Sequence, residues 1–306
     1  MIKKVLVTGA TSGIGWATTQ ALSTRGYGVF ATYRDPQDRA ALAELTNVYP
    51  VQVDVADPGQ IRQAITGIED AAGDHGLYAV INNAGISYTA PFEYAQLERV
   101  REIFDVNLIA PYLVTQTCIP LLRRYNESAA SGTARVVNIA SWAGLWASPF
   151  IGFYNASKYG LVGLTESMHY DLGLLDIHAV LAIPGVTKTP LLKKTTSGAL
   201  ASLDVMPLNG QVRYRPHLEH FTTMSQSSDD IKMLLNPDQV AEKIAAIVGA
   251  RKPRFKYNLA VDAKLVDGIL TRLLPFSTRA ALNRRMYQLE KPSPRGVARA
   301  RPTTSA

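Results

Sequence analysis

The sequence predicts an α/β fold of the doubly wound kind, a mostly parallel sheet between two layers of helices. Two observations support this prediction. A glycine-rich turn follows the first β-rich run, and further β-rich runs alternate with helical patterns. Parallel neighbours need crossover connections, so this alternation places helices on both faces of one sheet. The runs most typical of strands are residues 3–8, 27–33, 48–54, 77–82, 134–140, 177–183 and 254–260.

Length and composition fit a single soluble domain. The chain has 306 residues, of which 47% are hydrophobic and 19% are charged. No run approaches the ~18 apolar residues that a membrane span needs. The first β-rich run starts almost at Met1, which leaves no room for a signal peptide, and we therefore expect a cytoplasmic protein. The single cysteine, Cys118, excludes an intrachain disulfide and a cysteine-rich metal site, and we expect no metal.

The first motif is the turn Gly9-Ala-Thr-Ser-Gly13-Ile-Gly15, which leads into an alanine-rich helical segment. Strand, glycine turn and helix in this order are typical of a dinucleotide site, because the backbone can approach a pyrophosphate whose charge meets helix N–H groups. The spacing differs from G-x-G-x-x-G and lacks the Gly-Lys-Ser/Thr of a nucleoside-triphosphate loop. An ordinary glycine turn is the alternative, and its place directly after the first strand argues against it. We expect the turn to bind a cofactor through Gly9, Thr11, Ser12, Gly13, Ile14 and Gly15.

Further polar or turn residues follow the later strands. Parallel sheets of this kind bind ligands beyond the carboxyl ends of their strands. We therefore expect these residues to lie near the glycine turn. They are Asp54, Asn83, Ser141 and Pro184.

The second motif combines Ser141 with the segment Tyr154-Asn-Ala-Ser-Lys158. Positions i and i+4 share one face of a helix, so the Lys158 ammonium is expected beneath the Tyr154 phenol, where its charge favours phenolate. Lowering the tyrosine pKa from ~10 to near neutrality requires about 4 kcal/mol. Ser141 offers a hydroxyl that can hold a carbonyl or alcohol oxygen. Taken alone, the spacing also fits a surface Tyr and Lys on an amphipathic helix.

Together these motifs resemble the short-chain dehydrogenase/reductase family, and its hydroxysteroid dehydrogenase-like members in particular. The resemblance spans residues 3–260 and is loose over 188–235. Ala140 departs from the family, in which many members carry a serine there. The resemblance implies a Rossmann-type fold and hydride transfer between a nicotinamide cofactor and a carbonyl or alcohol carbon. The motifs that carry it are Thr8-Gly9-x-x-x-Gly13-x-Gly15, Asn82-Asn83-Ala84-Gly85, the group Asn107, Ser141, Tyr154 and Lys158, and Pro184-Gly185-Val-Thr-Lys-Thr189.

The resemblance also implies roles for these residues. Tyr154 would act as acid in reduction and base in oxidation, and Ser141 would polarise the substrate oxygen. Lys158 would lower the Tyr154 pKa and hold the nicotinamide ribose. Asn107 would position a water that passes protons to Lys158, with packing inside its helix as its alternative role. The turn after the sixth strand would hold the nicotinamide amide. Beyond the glycine turn, the expected cofactor residues are Arg34, Asp54, Val55, Asn83, Ala84, Gly85, Tyr154, Lys158, Pro184, Gly185, Val186 and Thr189.

The end of the second strand bears on the choice between NAD and NADP. By the resemblance, Tyr33 stands where an acid would bind the ribose hydroxyls of NAD, and Arg34 follows it. A guanidinium there can pair with a 2′-phosphate, to which Ser12 could add a hydroxyl. Asp35 is the competing candidate and would favour NAD. Because Pro36 follows it, we expect Asp35 to be a helix N-cap, and NADP is favoured over NAD.

Two apolar stretches indicate a lipophilic substrate. By the resemblance, the segments after Ser141 and after Thr189 form the walls of the substrate pocket. An apolar pocket suits a lipophilic ketone or secondary alcohol, such as a steroid, a retinoid or an aryl ketone. For about half of these residues, packing in the core or in a subunit interface is the favoured alternative. The residues are Trp142, Leu145, Trp146, Pro149, Phe150, Phe153, Leu191, Leu192, Leu200, Leu203, Val205 and Met206.

The chain is expected to consist of a cofactor-binding and catalytic domain (1–260), C-terminal amphipathic helices (261–290) and a disordered basic tail (291–306). Residues 188–235, with a Ser-Asp cluster near their end, break the strand–helix rhythm and are expected to cover the substrate. His217 and His220 in this stretch have no carboxylate or thiol to complete a metal site. Residues 262–289 could contact a membrane surface, but covering the core or the pocket mouth is favoured.

Two other functions are weighed. The formal charge of +7 suggests nucleic-acid binding as one alternative function. Much of the excess follows Arg251, however, and clustered Lys/Arg with aromatic platforms is not evident, so we expect no nucleic-acid partner. A catalytically silent protein that senses the dinucleotide is the remaining alternative, but it has little reason to hold all four catalytic residues together. By the resemblance we expect a homodimer or homotetramer, often paired through the helix that carries Tyr154.

Overall fold

A computed structural model describes residues 2–128, 132–227 and 235–289. In these residues seven strands form one parallel sheet in the order β3-β2-β1-β4-β5-β6-β7. The strands are Lys4–Val7 (β1), Gly28–Tyr33 (β2), Val48–Gln52 (β3), Ala79–Asn82 (β4), Arg135–Ile139 (β5), His178–Ile183 (β6) and Lys256–Asn258 (β7). The predicted α/β fold is confirmed. Each observed strand is shorter than predicted.

Helices flank the sheet. The connection from β1 to β2, which contains α1, and the connection from β3 to β4, which contains α3, run in opposite directions across the sheet. Because such connections are right-handed, α1 and α3 lie on opposite faces. The helix α1 packs against α9, and α3 packs against α5. The helices in the described residues are Gly13–Thr24 (α1), Arg39–Ala43 (α2), Pro58–Ala72 (α3), Leu97–Phe104 (α4), Ala110–Ser128 (α5), Gly152–Gly173 (α6), Pro190–Ala201 (α7), Leu208–Ser227 (α8), Pro237–Gly249 (α9), Val261–Leu265 (α10), Thr271–Leu273 (α11) and Phe276–Met286 (α12).

Local sequence sets several helix starts. Asp57 accepts the N–H groups of Gly59 and Gln60 at 2.8 and 3.2 Å, and Pro58 opens α3. A capping box between Asn236 and Gln239 begins α9. Such caps satisfy N–H groups that a helix leaves unpaired, and each contributes about 1 kcal/mol.

A buried arginine joins the sheet to α9. Arg135 is fully buried, and its guanidinium donates to the carbonyl oxygens of Val248 at 2.8 Å and Ala250 at 2.6 Å. Its Cζ lies 4.5 Å from the centre of the Tyr78 ring. The cation meets the carbonyl end of a helix, where the helix dipole favours positive charge. This contact lies at the amino edge of the sheet, away from the expected site.

The described part of the excursion over residues 188–235 is mostly helical. The helices α7 and α8 pack against each other there, and Pro216 lies inside α8. Residues 228–234, which include part of the predicted Ser-Asp cluster, lie outside the described residues, as does the predicted tail from 291 to 306. Among the described residues, no helix is both long enough and apolar enough to cross a bilayer.

The C-terminal extension follows β7. A π-helical turn, Val266–Leu270, joins α10 to α11. Within that turn Asp267 accepts hydrogen bonds from Lys256 and Asn258, both at 2.8 Å, so the extension is attached to β7.

Candidate active site

A cavity of about 550 Å³ lies at the carboxyl edge of the sheet. Every residue that the sequence associates with a cofactor lines this cavity, and Ser141 lines it too. Of the predicted site residues, only Asn107 does not. The cavity-lining members are Gly9, Thr11, Ser12, Gly13, Ile14, Gly15, Arg34, Asp54, Val55, Asn83, Ala84, Gly85, Ser141, Tyr154, Lys158, Pro184, Gly185, Val186 and Thr189.

The glycine turn is formed by close backbone contacts. Gly9 has a φ of +64°, and a Cβ on it would lie 2.8 Å from the Ala84 Cα. A Cβ on Gly15 would lie 2.0 Å from the Gly9 carbonyl oxygen. The N-cap of α1, Ser12, makes no hydrogen bond through its side chain. The first N–H groups of α1 therefore face the cavity without a side-chain cap, an arrangement that fits the pyrophosphate of a dinucleotide.

Asn83 holds this turn in place. Its Nδ2 donates to the carbonyl oxygens of Thr8 and Gly9, both at 3.0 Å. The Thr8 Oγ1 in turn accepts the N–H groups of Asn83 and Ala84, both at 3.0 Å. The sequence predicted Asn83 among the cofactor residues, but its amide nitrogen is used inside the protein. The role of the Thr8 side chain was missed, although Thr8 directly precedes the glycine motif.

Ser141, Tyr154 and Lys158 converge on the cavity from two elements. Ser141 follows β5, and its Oγ accepts the Ala143 N–H at 3.2 Å. Ser141 and Tyr154 both line the cavity, and the Ser141 hydroxyl is close enough to Tyr154 to act on its pKa. Tyr154 and Lys158 lie one turn apart in α6, and the Lys158 Nζ lies 5.9 Å from the centre of the Tyr154 ring. The sequence therefore predicted this grouping correctly.

The pKa values of Tyr154 and Lys158 differ from what the sequence analysis expected. Burial raises the pKa of Tyr154 above its ordinary value, and the Ser141 hydroxyl offsets only part of that rise. Burial lowers the pKa of Lys158 to about 8. The Tyr154 pKa is thus raised, where the sequence analysis expected Lys158 to lower it. Burial penalises both charged forms, and the ammonium donates to the Ile139 carbonyl oxygen at 3.0 Å.

Asn107 lies in a π-helical turn, Asp105–Ile109, between α4 and α5. Its Oδ1 accepts the Ile86 N–H at 2.9 Å, and its Nδ2 donates to the Ile86 carbonyl oxygen at 2.9 Å and to the Ser157 Oγ at 3.0 Å. The side-chain amide is fully buried and is used by protein partners. It joins the loop after β4 to the helix that carries Tyr154.

The end of β2 matches the sequence interpretation. The Asp35 Oδ1 accepts the Gln37 N–H at 3.0 Å and caps the short 3₁₀ helix Pro36–Asp38. Arg34 is exposed and lines the cavity beside it. Asp38, which the sequence analysis did not single out, also lines the cavity.

The predicted substrate walls are divided between cavity, core and surface. Trp142, Leu191 and Leu192 line the cavity. Leu203 and Met206 instead pack in a cluster with Ile151 and Phe221. Leu200 and Val205 are exposed. Cavity residues that the sequence did not indicate include Ile86, Ser87, Val106, Ile151, Lys194 and Thr195.

One histidine of the excursion contacts the C-terminal extension. The His220 Nε2 is 3.0 Å from the Met286 carbonyl oxygen, which joins α8 to α12. Within the described part of the chain, no group of three or more His, Cys, Asp or Glu side chains could hold a metal ion.

Comparison with known families decides the assignment. The family model for short chain dehydrogenases matches residues 3–199, more than half of the chain. The chain belongs to the short-chain dehydrogenase family. It is accordingly an NAD(P)-dependent oxidoreductase that acts on CH–OH groups or the corresponding carbonyls.

Curated relatives span nearly the whole of this short-chain dehydrogenase. The NADPH-dependent 3-dehydrocapnine reductase of Ornithobacterium rhinotracheale is 28% identical over 277 residues, which are 90% of this chain and 93% of the relative. Retinol dehydrogenase 5 of Homo sapiens is 28% identical over 299 residues, 90% of each chain. A short-chain dehydrogenase/reductase from Burkholderia phymatum, solved in complex with NAD, has a similar fold, with a TM-score of 0.70, 22% identity, and coverage of 95% of this chain and 96% of that one.

Proposed function

We propose that this enzyme transfers a hydride between NADP(H) and a lipophilic ketone or secondary alcohol. The observation that carries the proposal is that Ser141, Tyr154 and Lys158 line the same cavity as the uncapped N-terminus of α1. One end of the cavity fits a pyrophosphate, and the other offers two hydroxyls to a substrate oxygen. Both requirements of a nicotinamide-dependent reduction are met in one continuous space.

The catalytic residues have separate roles. A bound nicotinamide supplies or accepts the hydride. In reduction, the Tyr154 hydroxyl gives its proton to the substrate oxygen, and the Ser141 hydroxyl stabilises the charge that develops there. Lys158, with a pKa of about 8, is mostly protonated near neutral pH and can restore the Tyr154 proton. Asn107 holds the loop after β4 against α6, because both polar atoms of its amide are bonded to the protein.

The preference for NADP is supported by the charges at the end of β2. The Asp35 carboxylate is engaged by the Gln37 N–H, whereas the Arg34 guanidinium lies exposed at the cavity edge. A guanidinium pairs with a 2′-phosphate more strongly than it does with a ribose hydroxyl. The relative from Ornithobacterium is named as NADPH-dependent, which agrees with this preference.

A lipophilic substrate is supported by the cavity residues beyond the catalytic hydroxyls. Trp142, Leu191, Leu192, Ile86 and Ile151 contribute apolar surface there. An apolar pocket favours substrates whose hydrocarbon surface is removed from water on binding. Retinol dehydrogenase 5, named for a lipophilic alcohol, is among the relatives.

The helices around the cavity are proposed to cover the substrate. The helices α7 and α8 form the excursion over 188–235, and α12 reaches the loop between Ser141 and Tyr154. There the Asn283 Oδ1 accepts the Trp146 Nε1–H at 3.0 Å, and the Asn283 Nδ2 donates to the Ala147 carbonyl oxygen at 2.9 Å. These contacts support covering the pocket mouth over binding a membrane as the role of the extension.

Assembly through α6 is part of the proposal. Large apolar side chains are exposed along α6 and the neighbouring helical segment, and they would be buried in a homodimer or homotetramer. They are Ile109, Tyr112, Tyr159 and Tyr170. Light scattering of the purified protein measures the oligomeric state. The cytoplasmic location stays a prediction.

Turnover tests the proposed function. Purified protein is given NADPH or NADH with a panel of carbonyls that runs from aryl and polycyclic ketones to sugars and small keto acids. We expect NADPH oxidation with the apolar ketones. Preference for sugars or small acids would overturn the lipophilic substrate, and tight NADPH binding without turnover on any carbonyl would favour a silent dinucleotide sensor.

A further inference from the structure

A carboxylate from the C-terminal extension contacts the turn after β6. The Val186 N–H donates to the Asp262 Oδ2 at 2.9 Å, and the Asp262 Oδ1 accepts the Ala263 N–H at 2.8 Å. The two partners of the first bond are 76 residues apart in the chain. Val186 lines the cavity, but Asp262 is absent from its lining. The carboxylate therefore contacts the turn from outside the cavity.

Gly185 makes this contact possible. A Cβ on Gly185 would lie 1.9 Å from the Asp262 Oδ1 and 2.4 Å from its Cγ. Gly185 is not among the glycines with positive φ, so its backbone conformation is open to other residues. The position is restricted by the carboxylate that packs on it, and hence by the extension.

Other contacts hold the same turn from outside the cavity. The Leu235 N–H donates to the Val186 carbonyl oxygen at 3.3 Å. Both polar backbone groups of Val186 are therefore bonded to segments that lie outside 184–189. The extension itself is attached to β7 through Asp267, which accepts from Lys256 and Asn258. The turn is thus fixed to the sheet edge by way of Asp262.

We propose that Asp262 is a positioning residue for the cofactor, and that it holds the turn 184–189 in the conformation that lines the cavity. The proposal rests on the proposed cofactor function of that turn. Without Asp262, the Val186 N–H loses a charged acceptor, and the turn can leave this conformation. Only the molecules that keep the turn in place can then bind the cofactor tightly. The apparent affinity is therefore the wild-type affinity multiplied by the fraction of such molecules.

Direct cofactor binding tests this proposal without turnover. Titration calorimetry measures the Kd of NADPH for the wild type, Asp262→Ala, Asp262→Asn and Lys264→Ala, the last an exposed residue on the same helix. We expect Asp262→Ala to raise Kd by about tenfold, the scale of one lost hydrogen bond to a charged group. Asp262→Asn keeps one acceptor oxygen but sets its NH2 group against the other N–H group, so its Kd should lie between those of the wild type and Asp262→Ala, and Lys264→Ala should not change Kd.

A double-mutant cycle with Gly185 supplies a second readout. Gly185→Ala alone places a methyl group against the carboxylate, and we expect it to weaken NADPH binding. In the Asp262→Ala background the methyl group has room, so the same change should cost much less. Thermal unfolding of all variants identifies those that fail to fold, and the cycle is read from the folded ones.

Three outcomes would overturn the proposal. One is an unchanged Kd in Asp262→Ala, even with a lowered Tm, because Asp262 would then serve stability alone. The second is tighter NADPH binding in Asp262→Ala, since the carboxylate would then compete with the cofactor. The third is that the effects of Asp262→Ala and Gly185→Ala on the free energy of NADPH binding simply add in the double variant, because the two residues would then act independently. Failure of the proposed function looks different, because in that case the wild type itself binds neither NADPH nor NADH.

Discussion

The Lys158 Nζ lies 5.9 Å from the centre of the Tyr154 ring, yet it donates to the carbonyl oxygen of Ile139, at the end of β5. The ammonium is thus held next to the phenol by a strand rather than by the phenol itself. Burial lowers the pKa of Lys158 to about 8 and raises the pKa of Tyr154. Burial thus keeps the phenol protonated and makes the Lys158 ammonium easier to deprotonate than an ordinary lysine.

Removal of the phenolic proton should stop the reaction. In Tyr154→Phe the ring keeps its place, but the proton donor to the substrate oxygen is lost. We expect kcat to fall by about 10³-fold, within the range for general acid catalysis, while the Kd of NADPH stays near that of the wild type. Tyr159→Phe, an exposed tyrosine on the same helix, serves as the control. Substantial remaining turnover in Tyr154→Phe would refute the assignment.

Stability should depend on pH through Lys158. Its pKa is about 8 in the folded protein against 10.5 in the unfolded chain, so the unfolded chain binds more protons between these values. The cost of burying the charge is present in full below pH 8 and is relieved as the pH rises toward the unfolded value. Lys158→Met should therefore raise the free energy of unfolding at neutral pH, by up to about 3 kcal/mol.

Urea unfolding of the wild type and Lys158→Met near pH 7 and near pH 10 measures this effect. The difference between the two proteins should shrink at the higher pH. The control is Lys264→Met, at an exposed position. A difference that is the same at both pH values would show that the buried charge does not cause it.

Cofactor choice should respond to Arg34. In Arg34→Asp a carboxylate replaces the guanidinium and repels the 2′-phosphate. We expect kcat/KM with NADPH to fall by roughly 10- to 100-fold, the value of a charge-assisted hydrogen bond. With NADH it should stay the same or rise. Arg62→Asp makes the same charge change on α3 and should affect neither cofactor. Unaltered turnover with both cofactors in Arg34→Asp would contradict our interpretation of this strand end.

Loss of the Asn83 amide should affect both cofactors alike. Asn83→Ala frees the carbonyl oxygens of Thr8 and Gly9, which its Nδ2 holds, and the glycine turn loses its support. We expect the Kd values of NADPH and NADH to rise together by about tenfold, in contrast to the selective effect of Arg34→Asp. Calorimetric titration with each cofactor measures both values. A change confined to one cofactor would instead indicate that Asn83 contacts the cofactor directly.

Substrate binding should depend on Asn283. Asn283→Ala breaks both hydrogen bonds between α12 and the loop at Trp146 and Ala147. We expect KM for the ketone to rise severalfold, while the Kd of NADPH is unchanged. Arg284→Ala, at the next and exposed position, is the matched control. If Asn283→Ala leaves KM unchanged and the protein floats with anionic liposomes only when residues 262–289 are present, the extension binds membranes instead.

The features that could be predicted from the sequence depend on local spacing. Tyr154 and Lys158 share a helix face because they are four residues apart, and this holds wherever the helix lies. Asp35 followed by Pro36 is a cap whose hydrogen bond closes within two residues. The glycine turn follows its strand directly, so its place at the carboxyl edge followed once the strand was recognised.

Tertiary structure decided what depends on residues distant in the chain. Trp142 lines the cavity and Leu203 does not, although both belong to apolar stretches, because packing of α7 and α8 buries Leu203 in its own cluster. The pKa of Lys158 follows from burial against β5 rather than from its helix. Asp262 reaches Val186 only because β7 pairs beside β6 and brings the extension to that turn. Local spacing thus specified the chemical groups of the site, whereas their charges and supports depend on which surfaces the folded sheet brings together.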